Sequence, residues 1–122
     1  DGAHNASAIE RLAETLREVA AGRTIWLLVG VGMTKGEPLP LFAPLLPLAE
    51  RVYTCSFRSK RSQPADELAR RLAVAHPDVR PLGSPEAAID ALRPNLPAGH
   101  LLVCCGSLFL VGEAGEILGA TD

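Results

Sequence analysis

An acid, a histidine and an asparagine fall within five residues at Asp1-Gly2-Ala3-His4-Asn5, directly ahead of an amphipathic segment. A helix start gathers unpaired N–H groups and a partial positive charge, which draw anions and polar ligands. His4 can donate to such a ligand or carry a proton; plain capping by Asn5 or Ser7 is the alternative. A second candidate is the glycine-rich Gly30-Val31-Gly32-Met33-Thr34-Lys35-Gly36. It matches neither known phosphate cradle: the third glycine comes one residue late for a dinucleotide fingerprint, and Lys35 precedes Gly36 where a P-loop needs Ser or Thr. Arg58, Lys60 and Arg61 could hold a phosphate or carboxylate, or form a solvated loop. Ser107, just past Gly106, can offer its hydroxyl and the following N–H groups to an anion, or simply cap a helix. No Gly-x-Ser-x-Gly elbow surrounds it, so it is not read as a nucleophile. His76 and His100 read as helix-end and strand-edge residues, and no His, Asp and Glu set has metal-ligand spacing.

The elements that must position these residues follow from periodicity. Ile9, Leu12, Leu16 and Val19 recur at helical spacing over about Ser7 to Ala21, and Gly22 supplies the stop. Thr24 to Gly30 is a short, continuous apolar run, as a strand buried on both faces would be. The stretch from Pro38 to Glu50 is apolar at helical spacing but holds four prolines, which predicts a short or kinked helix. Arg51 to Phe57 reads as a second strand, with the basic loop at its end. A helix follows from Pro64, as its first residue, to about Ala75. Asp78 to Leu82 is a short strand. Ser84-Pro85-Glu86 opens a further helix ending near Arg93-Pro94. His100 to Cys105 is the last strong strand, and Leu108 to Glu113 a short helix; the tail from Ala114 carries no clear pattern. This alternation predicts a three-layer α/β/α, Rossmann-like domain with a mainly parallel sheet and right-handed crossovers. The loops after the three strong strands then meet on one edge with the start of the first helix, where open α/β sheets bind ligands.

Composition narrows the function classes. A length of 122 residues suits one domain. A net charge of −2 gives no electrostatic case for nucleic acid or an anionic membrane, and 4% aromatic content offers few stacking platforms. No apolar run is long enough to span a bilayer. Cys55, Cys104 and Cys105 lie in apolar strands without Cys-x-x-Cys spacing, which reads as buried, reduced thiols in a cytoplasmic protein. Cys104 and Cys105 would point to opposite faces of a strand.

The opening Asp1-Gly2-Ala3-His4-Asn5 and the closing Leu102-Val103-Cys104-Cys105-Gly106-Ser107-Leu108-Phe109-Leu110-Val111-Gly112-Glu113 resemble the ends of the C-terminal domain of folylpolyglutamate synthase / dihydrofolate synthase, within the Mur ligases. Between them, Arg51-Val52-Tyr53 and the stretch from Phe57 to Leu68, with Arg61, Pro64, Ala65, Glu67 and Leu68, are similar to that family's middle strand, loop and helix. The resemblance implies ATP-dependent amide formation: a folate or dihydropteroate carboxylate is phosphorylated, and the amine of L-glutamate attacks the acyl phosphate. It implies that Asp1 contacts the ATP ribose, and that His4 and Ser107 lie near the nucleotide and the incoming glutamate. Lys35 and Arg61 become candidate anion contacts. No residue of this chain is assigned a catalytic or metal-binding role. ATP and Mg²⁺ would be held mainly by an upstream ATP-binding domain, the chain's expected partner. Relatives carry Asp-Lys-Asp where this chain has Thr34-Lys35-Gly36, so only Lys35 corresponds. They also run an apolar strand straight into Asp-Gly-Ala-His-Asn. The 122 residues are therefore expected to be part of a longer protein and inactive alone.

Two other readings compete. In a Rossmann-like NADP-binding module, Gly30 and Gly32 would approach a pyrophosphate while Arg58 or Arg61 held a 2′-phosphate; NADPH should then change the fluorescence of Trp26. In a non-catalytic interaction domain, Asp1, His4 and Ser107 would lie far apart.

Overall fold

The structure is a computed structural model that describes residues 2–19, 22–31, 37–56, 63–106 and 117–120, without the side chains of residues 2–6, 8, 19, 106 and 117–120. Its elements alternate: α1 (Gly2–Val19), β1 (Ile25–Gly30), α2 (Pro38–Phe42), β2 (Ala49–Thr54), α3 (Ala65–Leu72), β3 (Val79–Pro81), α4 (Pro85–Leu92), β4 (Leu101–Gly106) and β5 (Ile117–Ala120). The five strands form one sheet in the order β3-β2-β1-β4-β5, and every pairing is parallel. The expected layered α/β domain is thus the observed one.

All six residues of β1 are buried. Alternation sends Ile25, Leu27 and Val29 to one face, against Ile9, Ala13 and Leu16 of α1, Phe42 of α2, and Leu68 and Leu72 of α3. Trp26 and Leu28 go to the other face, with Tyr53, Cys55, Leu102, Cys104, and Ala88 and Leu92 of α4. Cys105 joins the first cluster and Cys104 the second, so the adjacent thiols do face opposite ways.

Several boundaries differ from the sequence reading for physical reasons. The first helix starts at Gly2, not near Ser7, so Asn5 and Ser7 are interior positions rather than caps. No proline interrupts that stretch, and its alanines favour continuation. Gly22 adopts φ 81° just beyond the helix, the left-handed turn expected of it. The proline-rich stretch yields only α2 and a 3₁₀ turn at Leu46–Leu48. Pro64 is the N-cap of α3, one residue before the helical start assigned to it. At α4 the expected chemistry appears: Ser84 Oγ accepts from the Ala87 N–H at 3.1 Å, ahead of Pro85 and Glu86. β5 had no expectation behind it, and the helix expected over Leu108 to Glu113 lies outside the described residues.

His76 is a buried structural residue. Its Nε2 donates to the Ala49 carbonyl at 2.8 Å and its Nδ1 accepts from the Asp78 N–H at 3.0 Å. A carbonyl only accepts and an amide only donates, so the proton sits on Nε2. The ring ties the start of β2 to the segment entering β3. Replacing it leaves two backbone groups without partners at a site only 8% exposed. His76→Ala should therefore lower stability by about 2 kcal/mol, measured as a reduced urea midpoint with an unchanged slope.

Candidate functional site

The chain leaves β1 for β2 and then β3 on one side, with α2 and α3 on a single face. It returns through α4 on the opposite face and enters β4 on the other side of β1. Strand order therefore reverses between β1 and β4, and in doubly wound sheets ligands bind beyond the strand ends at such a point. The two strands end on glycines that are register partners, Gly30 and Gly106. Val31, 1% exposed, lies just past the β1 end.

α1 reaches the same edge from one side. The turn through Gly22 feeds it into β1, so the helix runs antiparallel to that strand. At a rise of about 1.5 Å per residue its 18 residues exceed the strand in length, bringing its first turn to the edge where β1 ends. His4 belongs to that first turn as a backbone position; its side chain, and Asp1, lie outside the described residues. So do Lys35, Arg61 and Ser107, which belong to the segments directly following β1, β2 and β4.

The bases of those segments are described. The Gln63 N–H donates to the Val31 carbonyl at 2.9 Å, joining the end of the segment after β2 to the end of β1. Thr54, fully buried, donates from Oγ1 to the Ala65 carbonyl at 2.7 Å. Ser56 Oγ accepts from the Ala65 N–H at 2.9 Å. Glu37, immediately after residues 32–36, meets Arg71 of α3 at 3.0 Å, and Arg71 also meets Glu67 at 3.0 Å. These ties of Thr54, Ser56 and Gln63 were not foreseen from the sequence. Period-two alternation was the available signal, since it places Thr54 and Ser56 on the same side as Val52, which packs with α3.

A second polar cluster occupies the opposite end of the sheet. Trp26 Nε1 donates to Glu50 Oε1 at 2.9 Å, and the Arg51 guanidinium stands 4.8 Å from the indole centroid. Arg51 also donates to the Tyr53 hydroxyl at 3.2 Å; that bond, with Asp78 and Glu50 nearby, raises the guanidinium pKa above its ordinary value. Trp26 precedes Gly30 by four residues, about 13 Å along a strand, so its fluorescence is a poor reporter of binding at the glycine edge.

The thiols are inert. Burial first, then Cys104 and Glu86, pushes Cys55 up to about 12 from an ordinary 9.0. Burial does the same to Cys104, and burial, with Cys104 and Cys55 nearby, raises Cys105 well above 9.0. Among the described residues no three His, Cys, Asp or Glu side chains form a metal-binding group. No described helix is long and apolar enough to cross a membrane.

A five-stranded parallel sheet with helices on both faces and a reversal between β1 and β4 defines a doubly wound α/β domain of the kind that binds ligands at its strand ends. Within that class, the family model for the Mur ligase, glutamate ligase domain matches residues 1–108, and the chain belongs to that family of ATP-dependent amino-acid ligases. No curated protein and no solved structure matches the chain.

The raised thiol values fix a pH dependence. The unfolded chain ionises its cysteines near 9.0, while the folded chain keeps Cys55 and Cys104 protonated to about 12. Between those values the unfolded state holds fewer protons, so stability falls as pH rises, by up to about 1.4 kcal/mol per pH unit per thiol. The stability gap between wild type and Cys104→Ala should narrow by about 1 kcal/mol from pH 8 to pH 10 in urea melts.

Proposed function

We propose that the chain is the C-terminal domain of an ATP-dependent ligase that adds L-glutamate to folate or dihydropteroate, acting in the cytoplasm. The observation that carries this reading is the paired glycines Gly30 and Gly106 at the strand reversal, in a chain of the glutamate ligase domain family. The segments leaving those strands hold Lys35 and Ser107, and the helix start that reaches the same edge holds Asp1, His4 and Asn5. On this reading Asp1 and His4 contact the nucleotide, His4 and Ser107 receive the incoming glutamate, and Lys35 and Arg61 meet anionic groups. ATP and Mg²⁺ are bound mainly by an upstream domain that phosphorylates the folate carboxylate. This domain contributes positioning and exclusion of water around the attack of the glutamate amine. Family membership supports an ATP-dependent amino-acid ligase, and the resemblance of both chain ends is what favours folate over other amide-forming ligases.

One observation weighs against a dinucleotide-binding module. Such a site needs a helix opening directly after the first strand to face the pyrophosphate. Among the described residues the first helix after β1 is α2, which opens at Pro38 and spans five residues.

The test is a ligation assay with radiolabelled L-glutamate, tetrahydrofolate and ATP. The 122 residues alone should give no turnover, whereas the chain joined to its ATP-binding domain should. In the joined protein, Ser107→Ala should raise KM for glutamate about tenfold, as loss of a hydrogen bond to a charged group predicts. Turnover by the isolated chain, or a joined protein that ligates another amino acid and ignores glutamate, overturns the assignment.

A further inference from the structure

We propose that His76 is a proton-operated latch for the edge strand β3: one proton added to its ring releases β3 from β2. The neutral ring makes two bonds of opposite polarity. Its Nε2 donates to the Ala49 carbonyl at 2.8 Å, and its Nδ1 accepts from the Asp78 N–H at 3.0 Å. An imidazolium carries an N–H on both nitrogens and accepts at neither. The second proton must go on Nδ1, where it meets the Asp78 N–H head on. Room for it comes from moving Asp78 away from the ring, which at 8% exposure has little water to turn to.

What the ring holds is a small unit. β3 has three residues, lies at the edge of the sheet and pairs with β2. Pro81 brings it no N–H, and Arg80 and Pro81 are exposed. Asp78 is the joint at its start. The residue that donates to His76 also accepts from the Val52 N–H through its carbonyl, at 3.0 Å. Moving Asp78 to admit a proton therefore breaks the first rung between β2 and β3. Short elements with few buried contacts open at low free-energy cost. The charged groups on the surrounding elements are already engaged. The Asp78 carboxylate is met by Arg80 at 2.8 Å and by Arg51 at 3.7 Å. On β2, Glu50 accepts from Trp26 Nε1 at 2.9 Å. On α3, which leads towards His76, Glu67 pairs with Arg70 and Arg71, and Arg71 also meets Glu37. Once β3 is detached the ring is solvated and takes a proton as free histidine does, near about pH 6.5. The detached state then binds more protons than the closed one, so each pH unit below that value favours it about tenfold.

The experiment is nitrogen-15 NMR on the full chain, with saturation-transfer detection of minor states, between about pH 7.5 and about pH 5. It compares wild type with His76→Asn. Asparagine keeps an acceptor for the N–H two residues on, and it takes no proton. In wild type the Asp78, Val79 and Arg80 amides should exchange with a minor state whose population rises about tenfold per pH unit below about pH 6.5. The amides of Leu28 and Val103, in the buried strands, should not. The imidazolium signal of His76 should belong to that minor state. In His76→Asn the minor population should not change with pH. Amides of β3 that stay fixed across the range overturn the latch, as does a His76 imidazolium in a state whose Asp78 amide is unmoved. An acid-dependent minor state that persists in His76→Asn assigns the opening to another group and overturns it too. If His76→Asn fails to fold, the imidazole and Asp78 signals of wild type decide between the same outcomes.

Discussion

The burial of β1 on both faces is the constraint on which the remaining structure depends. Leu27, Leu28 and Val29 are at most 1% exposed, and each such side chain is worth about 1.5–3 kcal/mol when taken out of water. That burial requires parallel partners on both edges and a helical layer on each face. Parallel partners cannot be joined by hairpins, so every connection must cross the sheet and every strand must end on the same edge. Two crossovers outward from β1 fill one face. The return to β4 uses the other face, so among the described helices α4 lies opposite α1, α2 and α3. The shared edge at which the strands end is thus a by-product of sealing one apolar strand.

Where apolar period and turn chemistry agreed, the fold could be read from the chain. Ile25 to Gly30, the Ser84-Pro85-Glu86 opening and the Gly22 stop each combine a hydrophobic pattern with a residue type that has a single local use. Where a polar residue had two uses, the reading went astray. Asn5 and Ser7 are good caps, yet they lie inside α1 because nothing around them breaks the helix. Pro64 suits a first helical position but serves as the cap, its first-turn partner being Ser56 rather than a neighbour. β5 was missed because Ile117-Leu118-Gly119-Ala120 is too short to carry a period. It exists through its pairing with β4, a tertiary fact.

The candidate site divides the same way. Its edge followed from the order of elements, and the glycines ending β1 and β4 were visible as residues. Their pairing in register was not, because two strands and three helices intervene between β1 and β4. The ties at Ala65 were equally hidden, since hydroxyls at Thr54 and Ser56 look the same whether they face water or a backbone group eleven or nine residues away.

The described polar groups also bear on what kind of work this domain does. The thiols of Cys55 and Cys104 are held neutral by burial, His76 has both ring nitrogens engaged, and the Thr54 hydroxyl is committed to the Ala65 carbonyl. A nucleophile or general base needs a free lone pair and a pKa near the working pH. These groups have given up one or the other to hold the scaffold. Among the described residues, then, these groups serve the scaffold, while β1 and β4 end in register on Gly30 and Gly106.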